Sequence, residues 1–386
     1  MDLAALSFNN VTMAGELGYV TTPASVNSSL ADVMAAGSQE DTLDIRRVPL
    51  LKQTAPVTVL LSVAYSVVFL LAVVNNSLVV TVIYRNPQMR NVTNYFLANL
   101  AIADITVSLV VLPITLLSNI FTEWHFGPFL CKAIPYLQAV AVSASVGTLV
   151  AVAMERYFAI FVPQKAVITP NRAVVIIAII WLIPMCIQVP WALFYSQVEY
   201  RSPTAEGMAI ICYPRFPSKD FEKLFFLCAV FIVCYLVPLF CICVCYSLIG
   251  IKVWKRSVSG IRGTKAERNI QRSKIRIVRM LIVVALFFTF SWLALYSIRM
   301  RVLYGGRLEG AEKKIVQNIL FPLAQWFGAA NSCVNPFVYC YFSEQFRKGF
   351  ASLLSNDSCC RKIKFESLRL NSSRSRSCSG KEDLKV

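Results

Sequence analysis

Seven stretches of this sequence are long and apolar enough to cross a lipid bilayer as helices: about residues 54–84, 92–118, 129–160, 173–194, 221–249, 275–302 and 314–341. The hydrocarbon core asks for about 20 predominantly apolar residues per helical span. The run AVVIIAIIWLIPMCI, from Ala173 to Ile187, carries no charge at all. With no water there to satisfy backbone N–H and C=O groups, such segments must be helical. Basic or Pro/Gly/Ser-containing breaks separate them. The expected fold class is therefore an all-α membrane protein, a seven-transmembrane helix bundle. Composition agrees, since 15% of residues are charged where soluble domains carry about 25%.

An odd number of spans puts the two termini on opposite sides of the membrane. The stretch Ile251 to Met280 holds ten Lys or Arg against the single acid Glu267, and the breaks after the first and third spans add Arg85, Arg90, Lys165 and Arg172. The first 53 residues hold six acids and three bases. By the positive-inside rule the N-terminus is extracellular and the C-terminus cytoplasmic. That topology accounts for most of the net charge of +17, so no nucleic-acid partner is expected.

The division expected is an extracellular glycosylated arm over residues 1–53, the seven-span bundle over 54–342, a short amphipathic cytoplasmic helix over 343–354 and a cytoplasmic tail over 355–386. The opening residues MDLAALSF lack a basic leader followed by a compact apolar stretch, so the first span is expected to act as signal anchor. Asn10 and Asn27 begin glycosylation acceptors on the outer side. Asn91 and Asn371 begin the same pattern on the inner side and are expected to stay unmodified. Thirteen cysteines form no metal-binding spacing. Cys359 and Cys360 follow the amphipathic stretch and are candidates for palmitoylation. Cys131 and Cys212 fall near the outer end of a span or in an outer loop, in the oxidising compartment.

Several polar residues lie where lipid would be expected. Asp104, near the middle of the second span, is expensive there unless turned inward with a functional role. Asn76, Asn331, Ser332 and Asn335 are polar enough to share its interior seam and with it a bound sodium ion. The third span closes with Glu155-Arg156-Tyr157, where the carboxylate can hold the guanidinium in a resting ion pair. The seventh closes with Asn335-Pro336-Phe337-Val338-Tyr339, and its proline removes a backbone donor and bends the helix.

These motifs, with Trp124 before Cys131, Trp181, Pro238, Tyr246, Phe288 and Trp292 in order along the chain, resemble those of class A (rhodopsin-like) G protein-coupled receptors over about residues 54–354. The segments VTNYFLANLAIADI, LCKAIPYLQAVAVSASV, FSWLALY and AQWFGAANSCVNP are most similar to the SIFamide and neuropeptide FF receptor group. The resemblance implies a Cys131–Cys212 disulfide. It implies an outer pocket for a neuropeptide drawn from Trp124, Gln138, Trp292, Tyr296, Arg299, Gln317 and Gln325. Gln138 carries no charge and suits an amidated terminus better than an amine. It also implies a switch through Asp104, Glu155, Arg156, Tyr157, Tyr246, Phe288, Trp292, Asn331, Asn335, Pro336 and Tyr339, whose rearrangement admits a heterotrimeric G protein. The serine-rich tail would meet a receptor kinase and arrestin, and the basic segments would meet the G protein or membrane lipid.

Glu155 conservatively replaces the family's usual aspartate, and two further features depart from the pattern. Ala294 stands where the family places a proline two residues after Trp292, and Arg299 and Arg301 occupy an outer end where an acid would meet a ligand arginine. Of these two, the second favours a peptide with an acid or many carbonyl groups, and the first leaves room for a non-signalling or scavenging receptor-like protein of the same fold. No repeated halves point to a transporter. A retinal protein needs a lysine within the seventh span, whereas Lys313 and Lys314 sit at its start. No nucleophile, base or metal constellation points to an enzyme, and no cofactor beyond the sodium ion is implied.

Overall fold

The computed structural model describes residues 50–162, 168–201, 208–258, 265–306 and 308–354. Asn10, Asn27, Cys359, Cys360 and the tail serines lie outside them. Helix α1 spans Ala55–Arg85, α2 Val92–Ile120, α3 Gly127–Phe161 and α4 Pro170–Ile187. Helix α5 runs through the segments Lys219–Leu224, Phe225–Leu236 and Val237–Val258, and α6 is Lys265–Tyr304. Helix α7 runs through Gly310–Ile315, Val316–Leu320 and Phe321–Phe342, and α8 is Glu344–Leu354.

By length and composition six described helices, α1 to α6, are apolar enough to cross a membrane. The seventh falls short because Gln325, Asn331, Ser332, Asn335 and two prolines interrupt its apolar face, the polar content that suits it to line an interior. Helices α5 and α6 run past the expected ends at 249 and 275 because nothing limits a helix once it leaves the bilayer. The fourth span, expected to 194, breaks at Gln188 and resumes as a short six-residue helix, Val189–Phe194.

Local chemistry sets most boundaries. The side chain of Asn86 donates to Val82 O at 2.8 Å where α1 ends before Pro87. Asn91 caps α2 by accepting from Asn94 N at 3.0 Å. Three helices also widen into π turns ending two residues before a proline: Val107–Val111 before Pro113, Phe225–Leu236 before Pro238 and Val316–Leu320 before Pro322. Proline lacks the N–H the next turn needs, and its ring crowds the carbonyl four residues back. A wider turn relieves both.

Helix α3 is the axis of the bundle, with 78% of its most apolar 18 residues buried against 17% in α1 and 11% in α4. Outward faces such as Leu60, Val174, Phe240 and Phe290 stay apolar and exposed, as contact with lipid requires. At the outer end, strands β1 (Tyr195–Arg201) and β2 (Met208–Pro214) pair antiparallel with Gln197 opposite Cys212. Cys212 is disulfide-bonded to Cys131 of α3, and Trp124 N donates to Ile210 O at 2.7 Å. The chain before α1 joins this cap: Lys52 N donates to Ile120 O at 2.9 Å and Thr122 N to Leu50 O at 3.1 Å. At the inner end α8 lies so close to α1 that a Cβ on Gly349 would overlap Val82.

Candidate functional site

The polar residues of the bundle form three tiers along its axis. The outer tier begins with Gln138 of α3, 4% exposed, whose Oε1 has no hydrogen-bond partner among the described residues. The hydroxyl of Thr115 on α2 is in the same condition. Both line a cavity of about 10 Å³ beneath Trp124, with Ser118 and Pro135, roughly the room one water needs. Asn119 Nδ2 donates to Gln325 Oε1 at 2.7 Å, linking α2 to α7. Trp124 is held by its indole N–H to Gly127 O at 2.8 Å, a loop made possible by Gly127 at φ 74°. The side chain of Gln317 lies outside the described residues.

Charge at this tier is concentrated between α5 and α6. Arg299 is 6% exposed and donates through Nη2 to Glu222 Oε1 at 2.6 Å. Its guanidinium lies 5.8 Å from the ring centre of Phe226. Tyr304 OH reinforces the junction by donating to Lys223 O at 2.8 Å. Across the mouth, Lys52 Nζ donates to Ser118 O at 3.4 Å, and burial pushes its ammonium pKa down to about 7.

Below lies an aromatic layer. Tyr296 packs with tilted rings against Tyr235, Phe231 and Phe226, at 4.4, 5.6 and 6.1 Å between ring centres. Trp292 lies 6.3 Å from Phe288 on one side and on the other against Gly328, where a Cβ would stand 3.5 Å from the indole. Helix α6 carries no internal proline. It is tied to α5 by Tyr235 OH donating to Thr289 O at 2.8 Å.

The middle tier centres on Asp104, 3% exposed, which accepts from Asn335 Nδ2 at 2.8 Å. Asn76 Nδ2 donates to Ser332 O at 2.7 Å and to Ala72 O at 2.8 Å. The Oδ1 atoms of Asn76 and Asn331 have no partner among the described residues. A second buried chain, Trp181 Nε1 to Asn99 Oδ1 at 2.9 Å and Asn99 Nδ2 to Thr148 Oγ1 at 2.8 Å, joins α4, α2 and α3.

The inner tier holds Glu155 and Arg156. Arg156 Nε donates to Glu155 Oε2 and Nη2 to Oε1, both at 2.5 Å. Thr93 of α2 completes the group: its hydroxyl donates to Glu155 Oε2 at 2.8 Å and accepts from Arg156 Nη2. A cavity of about 260 Å³ opens beside this cluster, lined by Asn94, Leu97, Ile277, Met280, Ser343 and Phe346 among others. Tyr157 stacks on Phe161 at 4.4 Å, and Lys252 lies 4.1 Å from the centre of the Phe161 ring. Tyr339 is fully buried against Phe346, its hydroxyl without a partner among the described residues. Tyr246 packs at the edge of the same core, and Pro336 lies inside α7.

Sequence reasoning named Gln138, Gln325 and Arg299 but missed Thr93, Thr115, Asn119 and Glu222. A Thr or Asn near a helix end reads as ordinary, and Glu222, close to Lys219 and Lys223, reads as one member of a solvated charge cluster.

Residues 75–339 match the family model described as 7 transmembrane receptor (rhodopsin family). The chain is 35% identical over 319 residues to neuropeptide FF receptor 1 of Homo sapiens, an alignment covering 80% of this chain and 73% of that protein. It is 32% identical over 295 residues to the QRFP-like peptide receptor of Branchiostoma floridae, covering 76% of each. To the RYamide receptor of Tribolium castaneum it is 28% identical over 304 residues, 77% of this chain and 81% of the relative.

Proposed function

Because this chain belongs to the rhodopsin family of seven-transmembrane receptors, we propose that it is a cell-surface neuropeptide receptor whose ligand ends in an amide and whose output is a heterotrimeric G protein. It is a non-enzymatic, multi-pass plasma-membrane protein with its N-terminus outside. The observation that carries the ligand reading is the outer tier, where Gln138, Thr115, Asn119 and Gln325 offer uncharged donors and acceptors in one buried region. An amide needs both kinds of group and no counter-charge. Similarity to receptors named for neuropeptide FF, QRFP-like peptides and RYamide supports the same class.

Ligand entry biases a two-state bundle. Pressure on Tyr296 and Trp292 moves α6 against α5 and α7, and the inner end opens beside Arg156. With no proline at Ala294, that movement belongs to α6 as a rigid rod pivoting on Gly328 and the Tyr235–Thr289 bond. Asp104 and the free carbonyl oxygens of Asn76 and Asn331 are hard oxygen donors of the kind a sodium ion accepts, and such an ion would favour the resting state. The kinase, arrestin and lipid contacts of the tail and basic segments belong to the same reading.

Ala294 favours one other reading, a non-signalling family member that binds peptide without coupling. Challenge of cells expressing the receptor with amidated neuropeptides separates the two. A saturable G protein response lost in Arg156→Ala supports signalling, whereas surface binding with no response supports the alternative.

A further inference from the structure

Among the described residues, Asp104 and Arg299 are the only fully buried charges, at 3% and 6% exposure. Asp104 belongs to the middle tier. Arg299 stands seven residues, about two helical turns, above Trp292 and on the same face as Trp292 and Tyr296, so it points where a ligand descending from outside would lie. It is bound to Glu222 at 2.6 Å, and the two side chains differ in depth, at 8% exposure for Arg299 and 16% for Glu222.

The surroundings make the pair asymmetric. Glu222 occupies the first turn of α5, two residues after Asp220, whose side chain is 96% exposed. A glutamate there can turn into water and still benefit from the positive end of the helix. Arg299 has no such exit, because its guanidinium lies beside Phe226, itself 2% exposed, with the buried ring of Tyr296 next to it. Removing the anion from a desolvated arginine is costly unless another anion replaces it. A ligand cation that captured Glu222 would take the carboxylate from a desolvated Arg299, while a ligand carboxylate that captured Arg299 would only release Glu222 to solvent.

Resting on the peptide-receptor reading, we propose that Arg299 is the anion-recognising residue of the pocket and that Glu222 occupies it until a peptide carboxylate, from an aspartate or glutamate side chain, takes its place. The exchange removes the charge link between α5 and α6 and leaves the neutral Tyr304–Lys223 and Tyr235–Thr289 hydrogen bonds between these helices. Ligand charge is thereby converted into freedom of α6.

The test uses full-length receptor purified in detergent, heated with N-acetyl-aspartyl amide or its uncharged analogue N-acetyl-asparaginyl amide. Glu222→Gln should be stabilised by the aspartyl probe and not by the asparaginyl one. Wild type should need on the order of 30-fold more probe for the same shift, since Glu222 competes. Arg299→Lys should keep the preference and Arg299→Gln should lose it. No selectivity in Glu222→Gln, or selectivity surviving in Arg299→Gln, overturns the proposal. If Glu222→Gln does not fold, absence of selectivity in wild type at the highest probe concentration does the same. In parallel, cells are challenged with amidated hexapeptide mixtures holding Asp, Asn or Arg at one position. Activation without preference for Asp keeps the receptor reading and overturns this inference. Selective stabilisation with no activation by any mixture keeps the anion site and overturns the signalling reading.

Discussion

The two membrane faces of this receptor each carry an arginine–glutamate pair, half-buried at the inner face and deeper at the outer one, and the pairs differ in what they hold together. At the inner face Glu155 and Arg156 are adjacent on α3, so their 2.5 Å bond joins a helix to itself. The cross-helix polar link is the hydroxyl of Thr93 on α2, and a cavity of about 260 Å³ lies alongside. At the outer face Glu222 and Arg299 sit on α5 and α6, so their 2.6 Å bond spans the joint that has to move. Charge therefore restrains the outer end directly, while at the inner end Ile277, Met280 and Phe346 line the cavity beside an arginine whose partners among the described residues are Glu155 and Thr93. A receptor built this way is latched from outside and ready within.

The largest expected effect tests the inner half of that contrast. Arg156→Ala should abolish G protein activation while peptide binding and surface expression persist; loss of binding as well would mean that the inner pair supports the whole bundle. Next is the outer pair. Glu222→Gln or Arg299→Gln should each destabilise the resting receptor by about 2–5 kcal/mol, and the double variant by clearly less than the sum. Thermal unfolding of purified protein measures that cycle, and a coupling near zero would remove the outer latch from the comparison.

Much of the bundle was legible in the sequence because the bilayer enforces it. The apolar runs could only be helices, the basic breaks fixed their direction, and Asp104, Arg156 and Pro336 stood out as residues lipid would not tolerate without reason. The π turns before Pro113, Pro238 and Pro322 were not legible: a proline announces a disturbance but not whether the helix continues through it, as α7 does at Pro336, or widens ahead of it. The outer tier was half legible. Gln138 and Arg299 are conspicuous inside apolar runs, whereas Thr115 and Asn119 look like routine helix residues until the fold brings them beside Gln138 and Gln325. Glu222 shows the same limit, since a partner 77 positions away leaves no local pattern.

The outer end should also respond to pH. Burial lowers the Lys52 pKa from 10.5 to about 7, so between those values the unfolded chain holds a proton that the folded one has released. Stability then rises with pH across this window, by at most about 1.4 kcal/mol per unit, and below pH 7 the full cost of the half-buried cation is present. Thermal unfolding from pH 7 to 9 should show this slope in wild type and a flatter one in Lys52→Met. An unchanged slope would show that the ammonium stays hydrated and contributes nothing to the outer cap.

The smallest effect decides whether the inner end has any polar restraint at all. Thr93→Val keeps the shape of the side chain but removes the hydroxyl that donates to Glu155 and accepts from Arg156. The loss is about 1 kcal/mol, enough to shift a two-state equilibrium about fivefold. Since Thr93 is the polar link from α2, the shift should favour the open form and appear as raised G protein activation without ligand at matched surface expression. Thr93→Ser, which restores the hydroxyl on a smaller side chain, should return activity to the wild-type level. If valine is silent and serine is raised, packing of the Thr93 methyl group rather than its hydroxyl holds α2 to α3, and charge then plays no part in closing the inner face.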